Sequence, residues 1–282
     1  MIRMIRGLID ASHPLPGFAV TLFATAYALA VQNGLTLDGF VRALGVGVAI
    51  LAGQLCVGWS NDAYDAERDR IAGRLDKPIT AGRVPARFVE AAACLAAAGA
   101  VLLSWRLADH AGFWHLIALL SAVGYNAGLK STWISPLPYV ISFGLLPVIA
   151  SLAVLGDAPP VSTVVSAALL GAGAHFANTV GDAEADALTG VRGLPQRLGP
   201  ARSLTVMAIL IALAAAGLLF GVLTADGTGL LRQVLAVLLL LAGVGLGLAG
   251  AVGRVGVPGG PAAFRLTLAA VALVVAGFLV TA

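Results

Sequence analysis

Two groups of carboxylates stand at matching places in a chain that is otherwise rich in apolar residues. The first group runs from Asn61 to Asp69 and the second from Asn178 to Asp186, each directly after a long apolar run. Gathering carboxylates at a membrane surface is unfavourable, because like charges repel and desolvation disfavours the charged form. Carboxylate and carbonyl oxygens suit Mg²⁺, which usually also takes phosphate oxygens and water. The two groups therefore indicate a site for a multiply charged anion, such as a diphosphate, held through divalent metal.

The first group has the spacing of a helical face. Asp62, Asp65 and Asp69 are three and four residues apart, so a helix places them on one side. Asn61 lies four residues before Asp65 and adds a neutral oxygen. The cations that follow could bind a diphosphate directly; they are Arg68, Arg70, Arg74 and Lys77. A solvated loop of mixed charge is the alternative, but the spacing, the leading Asn and the second copy favour a metal site.

The second group repeats this arrangement. Asn178, Asp182 and Asp186 are four residues apart and form one helical stripe. Glu184 points elsewhere and is interpreted as a solvated charge. The sequence thus predicts a second set of metal ligands, Asp182 and Asp186, with Asn178 beside them.

Residues in the neighbouring loops are candidates for binding phosphate. Arg192 and Arg197 follow the second group and could contact phosphate. Equally, each could be an ordinary basic residue that sets the orientation of the protein in the membrane. Lys130 could reach a phosphate from the loop that begins at Tyr125. The Tyr125 hydroxyl could donate to a phosphate, or its ring could be an interfacial anchor.

Two histidines lie close to these motifs. His175 shares the stripe of Asp182 about two turns deeper; it could accept a proton or contact an acceptor, although a satisfied core histidine is the commoner outcome. His13 precedes Pro14 at the start of the first long helix and is interpreted as a cap of that helix.

The composition is that of a membrane protein. Of 282 residues, 59% are hydrophobic and 11% are charged, and the mean hydropathy is +0.96. Soluble domains carry about 25% charged residues. The net charge of +3 reflects membrane topology, because no basic groove interleaved with aromatic residues is present. Nucleic acid is therefore not an expected partner.

The apolar segments predict an all-α, polytopic protein of about nine transmembrane helices, in one bundle around a central cavity. They fall at roughly 15–32, 40–59, 87–105, 112–129, 136–155, 161–179, 202–223, 230–252 and 262–281. The whole chain, 1–282, forms one predicted domain. Because the acidic motif recurs after four helices, an internal repeat of 15–130 and 136–252 is a further hypothesis.

The distribution of basic residues predicts the orientation. With the N-terminus in the cytoplasm, Arg42, Arg106 and Arg232 alone among the 17 Lys and Arg residues fall outside. This asymmetry agrees with the positive-inside rule. Both acidic groups then face the cytoplasm, and the cell membrane is the expected location.

These residues resemble the UbiA superfamily of intramembrane prenyltransferases. Asn61, Asp62, Asp65 and Asp69 fill its N-D-x-x-D-x-x-x-D motif, and the second group fills its D-x-x-x-D motif. The segment Asp76 to Ile79 resembles the family's charged-Pro segment, with Lys in place of the commoner Arg. Tyr125 to Lys130 resembles its Tyr…Leu-Lys loop. The resemblance extends over essentially the whole chain.

The resemblance implies a Mg²⁺-dependent enzyme that binds a prenyl diphosphate, with the prenyl tail in the apolar bundle. Ionisation leaves an allylic cation, which an electron-rich acceptor attacks. The implied catalytic residues are Asp65, Asp69, Asp182 and Asp186, and Asp62 joins them as a metal ligand. The implied substrate-binding residues are Asn61, Arg68, Lys77, Tyr125, Lys130, Asn178, Arg192 and His175.

Three functions stay open at this point. The first is transfer to an aromatic or lipid acceptor within the bilayer. The second is a terpene cyclase of the same fold, in which the cation attacks alkenes of its own chain. The third is a membrane transporter, which the placement of the acids at one face disfavours. Acceptor identity, prenyl chain length, the proton-accepting base and oligomeric state are not encoded in these patterns.

Overall fold

The computed structural model describes residues 2–32, 34, 36–181, 186, 189–224, 229–251 and 261–280, and over these residues it is helical without strands. The all-α prediction is confirmed. The helices are α1 Ile2–Ala11, α2 Pro14–Ala30, α3 Leu37–Ile71, α4 Ala86–Leu107, α5 Asp109–Asn126, α6 Leu137–Leu155, α7 Val161–Gly181, α8 Leu194–Leu198, α9 Pro200–Thr224, α10 Leu230–Ala251 and α11 Pro261–Leu279. A short 3₁₀ helix spans Leu129–Ser131.

Six of the described helices are long and apolar enough to cross a membrane: α3, α4, α6, α7, α9 and α10. Each coincides with a predicted span to within a few residues, except that α3 extends well beyond its span. The other three predicted spans correspond to α2, α5 and α11, which are helical but fall outside this set. Nine spans therefore stay a prediction.

The chain divides into two compact units. Unit 1 comprises Met1–Leu129 and Val148–Ala158, and unit 2 comprises Lys130–Pro147 and Pro159–Ala282. The first acidic group belongs to unit 1 and the second to unit 2. The hypotheses of a single domain and of an internal repeat stay predictions.

The longest helix of unit 1, α3, carries the first acidic group. Thr36 begins the helix, since its hydroxyl accepts the Gly39 backbone N–H at 3.0 Å. With 35 residues and a rise of 1.5 Å per residue, α3 is about 52 Å long, whereas ~20 residues span the hydrocarbon. The surplus carries the motif to Ile71, and the chain turns at Gly73 with φ 67°. Helix α3 therefore continues about 12 residues beyond the end of the predicted apolar span at residue 59.

Helix α1 packs against α3 within unit 1. The indole N–H of Trp59 donates to the Leu8 carbonyl oxygen at 2.9 Å. Gly7 lies against Val84: a Cβ added to Gly7 would lie 3.3 Å from the Val84 Cβ. Gly58 allows the Ser12 backbone to approach α3, because a Cβ there would lie 2.9 Å from the Ser12 Cα. The junction between α1 and α2 is thus fixed on α3, one turn before the acidic motif.

Replacing Gly58 by Ala is expected to destabilise this junction by about 1–3 kcal/mol, because the new methyl group overlaps backbone that cannot rotate away. The measurement is thermal unfolding of the purified protein in detergent. Gly99→Ala is the matched control, since no heavy atom lies within 4 Å of its ideal Cβ and helical Ala is favoured over Gly. Equal melting temperatures for the two variants would contradict the close packing.

Unit 2 has its own apolar core. Leu204, Met207 and Ile211 of α9 are fully buried, and they pack with Ala270 and Val274 of α11. Ser135, His175 and Ser203 are fully buried polar residues of the same unit. Buried polar groups are normally hydrogen-bonded, so these side chains mark where the unit holds a polar network.

Candidate active site

The three carboxylates of the first motif lie together on one buried face at the end of α3. Asp62, Asp65 and Asp69, hereafter the α3 carboxylates, are 2%, 5% and 2% exposed. Tyr64 and Glu67, which lie between them in sequence, are exposed. The helical spacing thus buries acids on one side and leaves the other side of the same turns open.

Each α3 carboxylate is paired with a cation from its own helix end or from the following loop. The pairs are Asp62 with Lys77 at 2.7 Å, Asp65 with Arg68 at 2.8 Å, and Asp69 with Arg74 at 3.8 Å. Desolvation of an isolated carboxylate is strongly unfavourable, so these cations make the burial possible. The cations predicted to bind phosphate are thus held beside the predicted metal ligands.

Asp62 contacts two nitrogens from outside α3. Its Oδ1 lies 2.7 Å from the Lys77 Nζ and 2.8 Å from the His13 Nε2, and these two nitrogens are 3.2 Å apart. Within the part of the chain that the structure describes, its Oδ2 is buried and makes no hydrogen bond. A buried carboxylate oxygen of this kind is suited to bind a cation.

His13 is the N-cap residue of α2, as predicted, but within the described residues its side chain makes no capping hydrogen bond. Its backbone is left-handed, with φ 50°, an uncommon conformation for a residue with a side chain. The ring instead reaches across to Asp62, 49 positions along the chain.

Asn61 is held by a second asparagine. The Asn61 Nδ2 donates to the Asn126 Oδ1 at 3.2 Å. Asn126 in turn donates to the Val57 carbonyl oxygen at 3.0 Å and to the Ser60 Oγ at 2.8 Å. Asn126 is 4% exposed and ends α5, next to Tyr125, which is half-buried. Asn126 therefore fixes the start of the motif, through Asn61 and through the turn of α3 that precedes it.

The donors fit a hard cation, although the described part of the chain holds no preformed metal cluster. Over the described ranges, no group of three or more His, Cys, Asp or Glu is arranged to hold a metal ion. The α3 carboxylates nevertheless supply oxygen donors on one face, and the buried Oδ2 of Asp62 has no hydrogen-bond partner among the described residues. Bound metal would therefore compete with Lys77, Arg68 and Arg74 for these oxygens.

The second motif is seen in part. Asp182 and Glu184 lie outside the described residues. Asp186 is 7% exposed, and its Oδ2 accepts from the Gln196 Nε2 at 2.7 Å. Its backbone oxygen accepts the Val191 N–H at 3.0 Å. Asp186 is thus tied to the segment that follows it, while Asn178 is exposed on α7.

His175 lies in the core of unit 2. Its Nε2 is 3.1 Å from the Ser135 Oγ, and the same oxygen accepts the Leu194 N–H at 3.0 Å. The rings of His175 and Tyr139 are 4.9 Å apart between centroids. The histidine therefore connects α7 to the chain before α6 and to the start of α8.

The predicted phosphate-binding cations of unit 2 differ in their surroundings. The guanidinium of Arg197 lies 4.6 Å from the centre of the Trp133 ring, and its Nε donates to the Arg192 carbonyl oxygen at 2.7 Å. Arg192 is exposed and, with Thr179 and Gln196, lines a cavity of about 180 Å³. Lys130 is half-buried on the 3₁₀ helix. Arg192 is thus the better placed of the two arginines for an anion.

Comparison with known proteins decides the family. Residues 18–249 match the sequence model of the UbiA prenyltransferase family, and this range includes both acidic motifs. The chain belongs to the UbiA prenyltransferase family. The resemblance inferred from the motifs is therefore confirmed.

Individual members of the UbiA family are similar over different lengths. The bacteriochlorophyll synthase 33 kDa chain of Cereibacter sphaeroides is 32% identical over 162 residues, in an alignment that covers 54% of this chain. This chain spans about half, 53%, of that curated relative. A UbiA homolog from Archaeoglobus fulgidus bound to GPP and Mg²⁺ has a TM-score of 0.74 at 16% identity, covering 98% of this chain and 99% of that one. A UbiA homolog from Aeropyrum pernix K1 has a TM-score of 0.68 at 21% identity, covering 99% of both chains. The structural matches establish a UbiA fold.

Two residues of this UbiA-family site were not predicted as site residues from the sequence. His13 contacts Asp62 and Lys77 from the junction of α1 and α2, and Asn126 holds Asn61. The indications in the sequence were weak: a histidine between a basic segment and a proline, and a polar residue that ends an apolar run. Neither pattern specifies a partner far along the chain.

Proposed function

We propose that the protein transfers a prenyl group from a prenyl diphosphate to an electron-rich acceptor, aromatic or lipid, within the membrane and with Mg²⁺. The observation that carries this proposal is the buried face of the α3 carboxylates with its matched cations, in a chain of the UbiA family. The related proteins agree: UbiA homologs were solved with GPP or DMAPP and Mg²⁺, and one relative is a bacteriochlorophyll synthase chain.

In this proposal, Asp62, Asp65 and Asp69 hold Mg²⁺, and Asp182 and Asp186 provide the second set of ligands. Bound Mg²⁺ neutralises the charge that develops on the departing diphosphate.

The residues of the chain itself bind and orient the diphosphate. Lys77 and Arg68 leave their carboxylates for phosphate oxygens, and Arg offers two parallel N–H donors to such an anion. Asn61, fixed by Asn126, orients the start of the motif. The remaining proposed substrate contacts are Tyr125, Lys130, Asn178, Arg192 and His175. The apolar helices accommodate the prenyl chain and exclude water that would otherwise capture an allylic cation.

We further place the reaction at the cytoplasmic face of the cell membrane, with the N-terminus inside. The support is the asymmetry of Lys and Arg along the sequence and the six helices suited to cross a bilayer. Labelling of single cysteines introduced at Leu75 and at Asp109, in a protein whose Cys56 and Cys94 are replaced by Ala, from either side of sealed vesicles tests this orientation.

The deciding experiment incubates the purified protein in detergent with Mg²⁺ and a series of labelled prenyl diphosphates, which starts with DMAPP and GPP and continues to longer chains. Each donor is tested alone and with aromatic and lipid acceptors, and a chelator is the control. Prenylated product that forms only with acceptor and Mg²⁺ is the expected result. Metal-dependent release of a cyclic hydrocarbon without acceptor would instead establish the cyclase. Absence of diphosphate release with every donor and acceptor would contradict the enzymatic proposal.

A further inference from the structure

Helix α1 has three distinct faces. Gly7 and Ala11 are buried inside unit 1, to which α1 belongs, while Ile5 and Ile9 are 51% and 54% exposed. Arg3, Arg6 and Asp10 are three and four residues apart and share a further face. A short helix with an exposed apolar ridge beside a basic ridge is typical of a segment that lies in the membrane interface.

The basic ridge of α1 forms one wall of a cleft, hereafter the basic cleft. It has a volume of about 540 Å³ and is lined by Arg3, Arg6, Asp10 and Arg83. Arg83 pairs with Asp10 and also donates to the Asp76 carbonyl oxygen at 2.7 Å. The loop after α3 is thereby fixed as the opposite wall.

The charges of the basic cleft are unbalanced. Three guanidinium groups face one carboxylate, and Asp10 is already paired with Arg83. Among the described residues, neither Arg3 nor Arg6 makes an ion pair, and both are exposed. Guanidinium groups match the oxygens of a phosphate in a bidentate manner. The cleft is therefore complementary to a phosphate group.

We propose that the basic cleft binds the phosphate of an anionic phospholipid, with α1 lying in the plane of the bilayer interface. A soluble anion would satisfy Arg3 and Arg6 but would leave Ile5 and Ile9 in water. A lipid satisfies both ridges, since its phosphate lies at the depth of the arginines and its acyl chains lie beside the isoleucines. Arg3, Arg6 and Asp10 take no part in the proposed transfer reaction, so the lipid site does not rest on it.

The test titrates purified wild-type protein in neutral detergent with short-chain phosphatidylglycerol, short-chain phosphatidylcholine or inorganic phosphate. The thermal midpoint reports binding, since a ligand that binds the folded state raises it. Phosphatidylglycerol is expected to stabilise the protein at lower concentration than either of the others. The double variant Arg3→Gln/Arg6→Gln is expected to weaken this effect roughly tenfold, because two charge-assisted contacts are lost. Arg106→Gln/Arg232→Gln removes two exposed arginines elsewhere and should leave the effect unchanged.

A gain of affinity separates the site from a folding defect. Asp10→Asn removes the carboxylate that competes with phosphate for Arg83, so it is expected to bind phosphatidylglycerol more tightly than wild type. A misfolded cleft would not produce that result. Equal stabilisation of wild type and Arg3→Gln/Arg6→Gln would overturn the site, and equal stabilisation by inorganic phosphate would overturn its assignment to lipid.

Discussion

Asp65→Asn is expected to lower the rate of diphosphate release by a factor of about 10² or more, because this residue is central among the α3 carboxylates. Asp65 lies between Asp62 and Asp69 on the same buried face, within about one helical turn of each. Any metal held along this face would therefore lie close to Asp65, so its loss is expected to affect metal binding more than the loss of either neighbour.

The measurement is the initial rate with a labelled prenyl diphosphate over a range of Mg²⁺ concentrations. Glu67→Gln is the matched control, since Glu67 is two residues away but exposed and paired with Arg70. Its rate is expected to stay within about twofold of wild type, as for most surface charges. An Asp65→Asn protein that keeps its fold and its full rate would remove this carboxylate from the chemistry.

Lys77→Met is expected to reduce both stability and activity. The ion pair that it breaks is buried, with side-chain exposures of 12% for Lys77 and 1% for Asp62. Removal of one partner from a buried pair costs about 3–5 kcal/mol, and because His13 still contacts Asp62, the lower end of that range is expected. A rate loss of about 10² is expected as well, because Lys77 is a proposed diphosphate ligand.

A double variant separates these two effects. Asp62→Asn/Lys77→Met removes both charges, so the thermal midpoint should recover towards wild type while the rate stays low. Arg70→Met is the control for loss of a cation from the same segment, since Arg70 is exposed. Recovery of the rate together with the stability would show that Lys77 serves only to neutralise Asp62.

Local periodicity was enough to predict much of this protein. The apolar runs located the helices because each run is long and ends at Gly, Pro or charge. The spacing of Asp62, Asp65 and Asp69 predicted a common face because helical geometry depends only on separation in sequence. The hydropathy pattern did not reveal that α3 continues through the motif. Hydropathy falls where the charged residues begin, whereas the backbone hydrogen bonds of the helix continue past them.

Contacts between distant segments could not be predicted in the same way. The pairing of His13 with Asp62 joins residues 49 positions apart, and that of Asn61 with Asn126 joins residues 65 positions apart. Helix α1 is ten residues long, too short for a membrane span, and its packing depends on Gly7 and Gly58. The interpretation of Arg197 was open because its sequence gives no indication that the Trp133 ring lies beside it.

The pairing of each α3 carboxylate with one cation has a consequence for how ligands enter. Lys77, Arg68 and Arg74 lie beside Asp62, Asp65 and Asp69, and Arg74 also pairs with Asp76 at 3.2 Å. Metal alone must compete with these cations for the carboxylates, and diphosphate alone must draw the cations away from buried acids. When both ligands bind, metal takes the carboxylates and frees the cations for diphosphate, and diphosphate takes the cations and frees the carboxylates for metal. On the proposed function, the two ligands therefore bind with positive coupling, and linkage requires that each raise the affinity for the other by the same factor.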